Sequence, residues 1–329
     1  MSWFEAYDRA LVPLLGPASL LAAIETAENA GVLARLRTPT TVDELAASTS
    51  QDARVLAALC HALDLYDVVD LDGDRYCLTR DWMLLTDEAA FSPLSVQLAH
   101  AEVTQRAMRH TLGDSTYWTM SPEDRLVIAR AVSPDPFSSG LVESFRTRAA
   151  DEPDQAALVA GGTQLELGCG VAGRILTLLQ AIPAMHAIGV EISPDLAAIA
   201  RERAEELGLS HRFEVVVADA AEFDREGCAD TAFWSQFFFP ESSRAGALAA
   251  IMRALRPGGV LTATLEGGPD TDPKELALSR ISLARWGVPV RTPEQLVEEI
   301  SAAGFTDVAV VERDGLSRVR AVAPQDSAN

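Results

Sequence analysis

The stretch Leu165-Glu-Leu-Gly-Cys-Gly-Val-Ala-Gly173 is a short apolar run, an acid, and a glycine-rich turn that opens into a helical pattern. Glycines in such a turn let the backbone approach a bound ligand closely. Glu166 stands two residues before the first glycine, where a pyrophosphate is repelled and a cationic ligand is favoured. A G-x-G-x-x-G pattern (Gly168, Gly170, Gly173) alone is weak, so the flanking sequence decides.

From about residue 163 the chain alternates strand and helix patterns. Strands are expected over 163–167, 186–191, 213–218, 231–236, 259–265, 306–312 and 317–323. Ser193-Pro194 supplies a cap and first-turn proline for the helix through 207, and Thr292-Pro-Glu-Gln295 does the same for 293–303. The expected fold class is α/β: a doubly wound, mostly parallel, seven-stranded Rossmann-like sheet. Its last two closely spaced strands suggest an antiparallel edge.

Three acids fall at the expected strand ends on the ligand side: Glu166, Glu191 and Asp219. Glu191, eighteen residues past Gly173, is placed to accept hydrogen bonds from ribose hydroxyls, a role common to NAD and S-adenosylmethionine. Glu166 discriminates between them. A carboxylate there opposes the pyrophosphate of NAD and suits the ammonium of S-adenosylmethionine, whose net charge is positive. Asp219 can accept from an adenine amino group.

On these residues the second half resembles the class I S-adenosylmethionine-dependent methyltransferases. The matching pieces are Glu166-Leu-Gly-Cys-Gly170, Gly189-Val-Glu191, Ala218-Asp219-Ala220, and Leu255-Arg-Pro-Gly-Gly259 before the fifth strand. The resemblance implies S-adenosyl-L-methionine as cofactor, held by Glu166, Gly168, Gly170, Glu191, Asp219, Ala220 and Trp234.

The first ninety residues have a different grammar. Helices are expected over 17–30, ending at Gly31, from the Thr41-Val-Asp-Glu44 capping box, and over 51–65. A hairpin over 67–79 turns at Asp72-Gly73. Two helices and a hairpin read as a winged helix, a motif that invites a DNA-binding role. Charge opposes that role: residues 41–90 hold three arginines against eleven acids, and a phosphate backbone is repelled. The expectation is a winged-helix dimerisation domain over 1–90, a helical linker over 91–150 contributing to the substrate pocket, and a cofactor-binding catalytic domain over 151–329. With the acidic winged helix in front, the whole chain resembles the dimeric small-molecule O-methyltransferases of plants and bacteria.

In that family a histidine after the fourth strand serves as general base. Here the segment reads Trp234-Ser-Gln-Phe-Phe-Phe-Pro-Glu241, with Phe237 near the expected position. The candidate bases are therefore Glu241, Glu266 and His110, with His100 a further histidine from the linking helices. Trp118, Gln236, Phe237 and Phe238 are the candidate substrate contacts, and a helix over Lys274–Trp286 could cap them. No metal site is expected: His100 and His110 are ten apart, poor spacing for one helical face. The four cysteines (Cys60, Cys77, Cys169, Cys228) form neither a zinc pattern nor a disulfide framework.

Bulk composition agrees. In 329 residues, 48% are hydrophobic and the formal net charge is −21, which argues against nucleic acid and anionic membranes and for small-molecule partners. The N-terminus shows no signal peptide, no apolar run reaches membrane-spanning length, and a cytoplasmic homodimer is expected. The expected reaction is methyl transfer to a small, secondary-metabolite acceptor, oxygen first, with carbon or nitrogen as alternatives. Non-methyl chemistry on the same bound cofactor is the remaining alternative.

Overall fold

Two sheets organise the chain in the computed structural model, which describes residues 2–110, 112–113, 116–267, 271–313 and 316–325. The chain divides into two units, Met1–Glu102 and Val103–Asn329, and the helix Leu94–Met108 runs across the division.

In the first unit, β1 (Thr40–Thr41), β2 (Val69–Asp72) and β3 (Arg75–Leu78) form an antiparallel sheet in the order β1-β3-β2. The capping box opens the helix Val42–Thr49 as expected: Thr41 Oγ1 accepts from Glu44 N–H and Glu44 Oε2 accepts from Thr41 N–H. Asp52 caps the helix Ala53–Leu65. The first long helix runs Val12–Asn29, starting earlier than the expected 17, because Pro13 rather than Pro17 occupies its first turn. An opening proline is tolerated where the N–H would lack a partner in any case. The hairpin turn also shifts. Asp72 pairs with Arg75, so Gly73-Asp74 forms the turn, with Gly73 at φ +64°. Leu33, Leu36, Leu45, Leu56, Cys60 and Leu63 fill this unit's core.

The second unit is built on β4 (Thr163–Leu167), β5 (His186–Glu191), β6 (Phe213–Val217), β7 (Ala229–Trp234), β8 (Leu255–Thr264), β9 (Thr306–Arg313) and β10 (Leu316–Val322). Their order is β6-β5-β4-β7-β8-β10-β9. β4 to β8 are parallel, and β10 runs antiparallel to both β8 and β9. The antiparallel strand thus lies inside the sheet and β9 forms the edge. Leu165 and Leu167 pack with Trp234, Leu261 and Ala263 against Leu248 and Ile251 of the helix Glu241–Ala254 and Leu296 and Ile300 of the helix Pro293–Ala302. Full burial of each leucine or isoleucine among them is worth about 1.5–3 kcal/mol. Strand alternation turns Glu166 to the opposite face. There the helix Gly173–Ala181 packs its Ile175, Leu176 and Leu179 into a second core.

Candidate active site

The glycine turn follows β4 directly. Gly168 and Gly170 are left-handed, at φ +72° and +53°, and so is Ala172, at +57°. An L-residue in that conformation costs about 1 kcal/mol. The third left-handed position is therefore an alanine, and Gly173 serves another purpose. A Cβ there would lie 2.2 Å from the Pro134 carbonyl oxygen, so its glycine allows residues 133–134 to cross against the turn.

The turn is bonded to β5. Gly168 and Cys169 N–H donate to the Val190 carbonyl at 2.9 and 3.1 Å. Glu191 Oε2 accepts from Gly170 N–H at 2.8 Å, and its Oε1 accepts from Ser193 N–H at 2.8 Å. Burial pushes the Glu191 carboxyl above the ordinary glutamate range, while those two N–H groups pull the other way. The helix Pro122–Ala131 closes against this region through Ala129, which clusters with Val171 and Leu196. Arg125 of that helix pairs with Asp195 at 3.0 Å.

Asp219 caps a short 3-10 turn over 220–222, accepting from Ala221 N–H at 2.9 Å. Ala220 turns its methyl into the core. Glu166 is buried and is not a lone carboxylate: Arg174 Nη1 stands 3.0 Å from its Oε2. Burial raises the Glu166 pKa in spite of that partner. Arg174 is not among the residues expected at the site. The signal was an arginine in the first turn of a helix, where the helix dipole disfavours a cation.

After β7 the expected roles need two corrections. Trp234 is 0% exposed, packed edge-on to Phe239 and beneath the Arg244 guanidinium, so it belongs to the core and not to the cofactor surface. Gln236, 1% exposed, donates to the Thr264 carbonyl and accepts from Arg244 Nη2, both at 2.8 Å. It braces the loop and does not face a substrate. Arg244 is itself buried and bidentate on Glu299, at 2.7 and 2.6 Å. Nothing in its local sequence announces this role, because Glu299 lies 55 residues on.

The structure groups Trp118 and Phe238 through Tyr117, whose ring centroid is 5.2 Å from Trp118, 5.9 Å from Phe238 and 5.3 Å from Trp286. Trp286 follows the helix Pro273–Arg285. Burial first, then the nearby Glu191 carboxylate, pushes the Tyr117 hydroxyl far above its ordinary pKa, so it stays a hydrogen-bond donor. Phe237 is half-buried. The three candidate bases lie on different segments of the chain. Glu241 is exposed, with both oxygens on Arg291 Nη2 at 2.7 Å. Glu266 holds Arg280 at 2.9 Å and Ser279 at 2.6 Å, anchoring the helix Pro273–Arg285. His110 is exposed, in the turn after the helix Leu94–Met108.

Residues 165–259 match the family model of a methyltransferase domain. The chain is 27% identical over 194 residues to the erythromycin 3''-O-methyltransferase of Saccharopolyspora erythraea, covering 53% of this chain and 60% of that protein. Over 97% of its length it superposes on 98% of the mitomycin 7-O-methyltransferase MmcR, with a TM-score of 0.67 at 19% identity. It likewise covers 99% of CalO1, a methyltransferase in calicheamicin biosynthesis solved in an SAH-bound form, using 98% of this chain, with a TM-score of 0.69 at 20% identity. The two structural likenesses establish the fold over 97–98% of the chain, whereas the matched sequence spans about three-fifths of the erythromycin enzyme.

Proposed function

With residues 165–259 a methyltransferase domain on the fold of the class I methyltransferases, we propose that the protein transfers a methyl group from S-adenosylmethionine to a small secondary metabolite. The observation that carries the reading is Glu191. It ends β5, and both its oxygens are fixed by backbone N–H groups of the glycine turn and of Ser193. A carboxylate so held keeps acceptor capacity for ribose hydroxyls. The left-handed Gly168 and Gly170 leave the approach to it open, and Asp219 stands at the end of β6 for the adenine.

Bound there, S-adenosylmethionine supplies a methyl group on a sulfonium. The chain's own part is to hold, orient and exclude water. Tyr117, Trp118, Phe238 and Trp286 offer apolar faces for a flat acceptor, and the protonated Tyr117 hydroxyl can donate to an oxygen on it. Since the segment around Phe237 carries no histidine, and Glu241 and Glu266 are committed to arginines, the best acceptor is an oxygen acidic enough to arrive ionised, such as a phenol or enol. The same want of an aligned base favours an enolisable carbon as the second reading.

The first unit is the proposed dimerisation domain, of winged-helix type. Trp3, Phe4 and Leu14 are 69%, 71% and 66% exposed, and a second copy of the chain is the proposed cover. Among the described residues no single helix is long and apolar enough to cross a membrane. The acidity of the chain and its free cysteines support a cytoplasmic setting with small-molecule partners. A labelled-methyl assay against phenols, enols and ketones tests the proposal. Transfer with release of S-adenosylhomocysteine is expected, and product analysis separates oxygen from carbon. Tight cofactor binding without transfer to any acceptor would overturn methylation in favour of non-methyl chemistry.

A further inference from the structure

We propose that Arg174 receives the carboxylate at the amino-acid end of the cofactor, while Glu166 takes its ammonium; this rests on the cofactor reading above. The two side chains flank the glycine turn. Glu166 is the penultimate residue of β4, and Arg174 is the second residue of the helix that the turn leads into. Their ion pair, Arg174 Nη1 to Glu166 Oε2 at 3.0 Å, has side-chain exposures of 22% and 6%.

The guanidinium carbon lies over the Phe233 ring, 3.8 Å from its centroid. Phe233 is the cross-strand neighbour of Glu166 on β7, so the ring seats the cation beside the carboxylate. Among the described residues the hydrogen bond to Glu166 is the only one Arg174 makes. Its remaining N–H groups are thus left for a second acceptor. Arg318 adds a further positive charge near this guanidinium.

The physical case is one of matched exchange. Separating a buried ion pair by removing one partner is costly because each charge loses its counter-charge. A zwitterionic α-amino acid replaces both partners at once, ammonium on carboxylate and carboxylate on guanidinium, so no charge is stranded. A planar guanidinium is well suited to a carboxylate, which it can grip with two parallel N–H bonds. An arginine in the first turn of a helix runs against the helix dipole. A carboxylate ligand at that point gives the placement a use that helix stability does not.

The test is calorimetric titration with three ligands: S-adenosylhomocysteine, its decarboxylated amine analogue, and 5′-methylthioadenosine, which lacks the amino-acid end. On the wild-type protein, loss of the ligand carboxylate is expected to weaken binding by about 10- to 100-fold. This arm needs no variant to fold. In Arg174→Met the S-adenosylhomocysteine affinity falls by a similar factor, while methylthioadenosine changes by less than about twofold, with Arg174→Lys between. Equal losses for all three ligands, or no carboxylate effect in the wild type, overturn the subsite and leave the cofactor reading standing. Failure of the wild type to bind any of the three overturns both.

Discussion

The turn after β4 and the loop after β7 sit side by side at the same end of the sheet, yet they are built on opposite principles. The first is backbone made to bend: left-handed residues at 168, 170 and 172, with buried carboxylates held by N–H groups and by Arg174. The second is side chains made to stay: Gln236, Arg244 and Glu299 locked into one buried network, with aromatic rings beyond it. A site that keeps one ligand and varies another is well served by this division. The backbone turn suits an invariant cofactor, and a braced aromatic loop can change its rings without disturbing its neighbour.

The largest expected effect comes from cutting the brace. Arg244→Met leaves Glu299 without its main partner and should lower the unfolding free energy by about 3 kcal/mol, measured by urea denaturation. In the protein that remains folded, S-adenosylhomocysteine affinity should change by less than about threefold. A large loss there would break the claimed independence of the two regions.

Next in size, Glu191→Gln should weaken S-adenosylhomocysteine binding by about 10- to 30-fold, read by calorimetry, because a neutral amide accepts more weakly from ribose hydroxyls. The pH dependence sharpens the same point. Burial raises the folded-state pKa of Glu191, so its contribution to stability is fully present below its unfolded value and lost as pH rises through the folded one. Ligand affinity carries the opposite sign, falling as acidification protonates the acceptor. Between neutral pH and the ordinary glutamate value of 4.5, the wild type should lose affinity progressively, and Glu191→Gln should show less of that slope.

On the acceptor side, Phe238→Ala should raise the acceptor KM by about tenfold with little change in cofactor affinity, since it removes one apolar wall. Comparable damage to both constants would mean the rings support the turn as well. The smallest effect is expected at Ala172→Gly, which relieves the left-handed alanine but removes a fully buried methyl, so stability in thermal unfolding should change by less than about 1 kcal/mol.

The two regions also differ in how far the sequence exposed them. β4 and β5 were legible to the residue, because strands buried on both faces read as continuous apolar runs ending in acids. Glu191 and Gly168 followed from that register. Trp234 and Gln236 were misassigned for a physical reason. A polar or aromatic residue after a strand looks the same in sequence whether it faces a ligand or a buried arginine, and Arg244 and Glu299 meet only through the packing of two helices. Tyr117 and Trp286, 169 positions apart, became neighbours only in three dimensions. Arg174 was visible in the sequence, but its pairing with Glu166 needed the geometry of the turn.

The position of β10 has a consequence for how the protein is made. β8 meets β10 directly, and β9, which precedes β10 in the chain, lies outside it. As the polypeptide leaves the ribosome, β8 carries an unpaired edge until residues 316–322 have emerged, although the strands carrying Glu166, Glu191 and the glycine turn are complete more than a hundred residues earlier. Bare strand edges are templates for mispairing. The nascent chain thus holds a formed cofactor turn beside an open flank, and synthesis halted before β10 should yield chains that bind chaperones or aggregate in a pelleting assay.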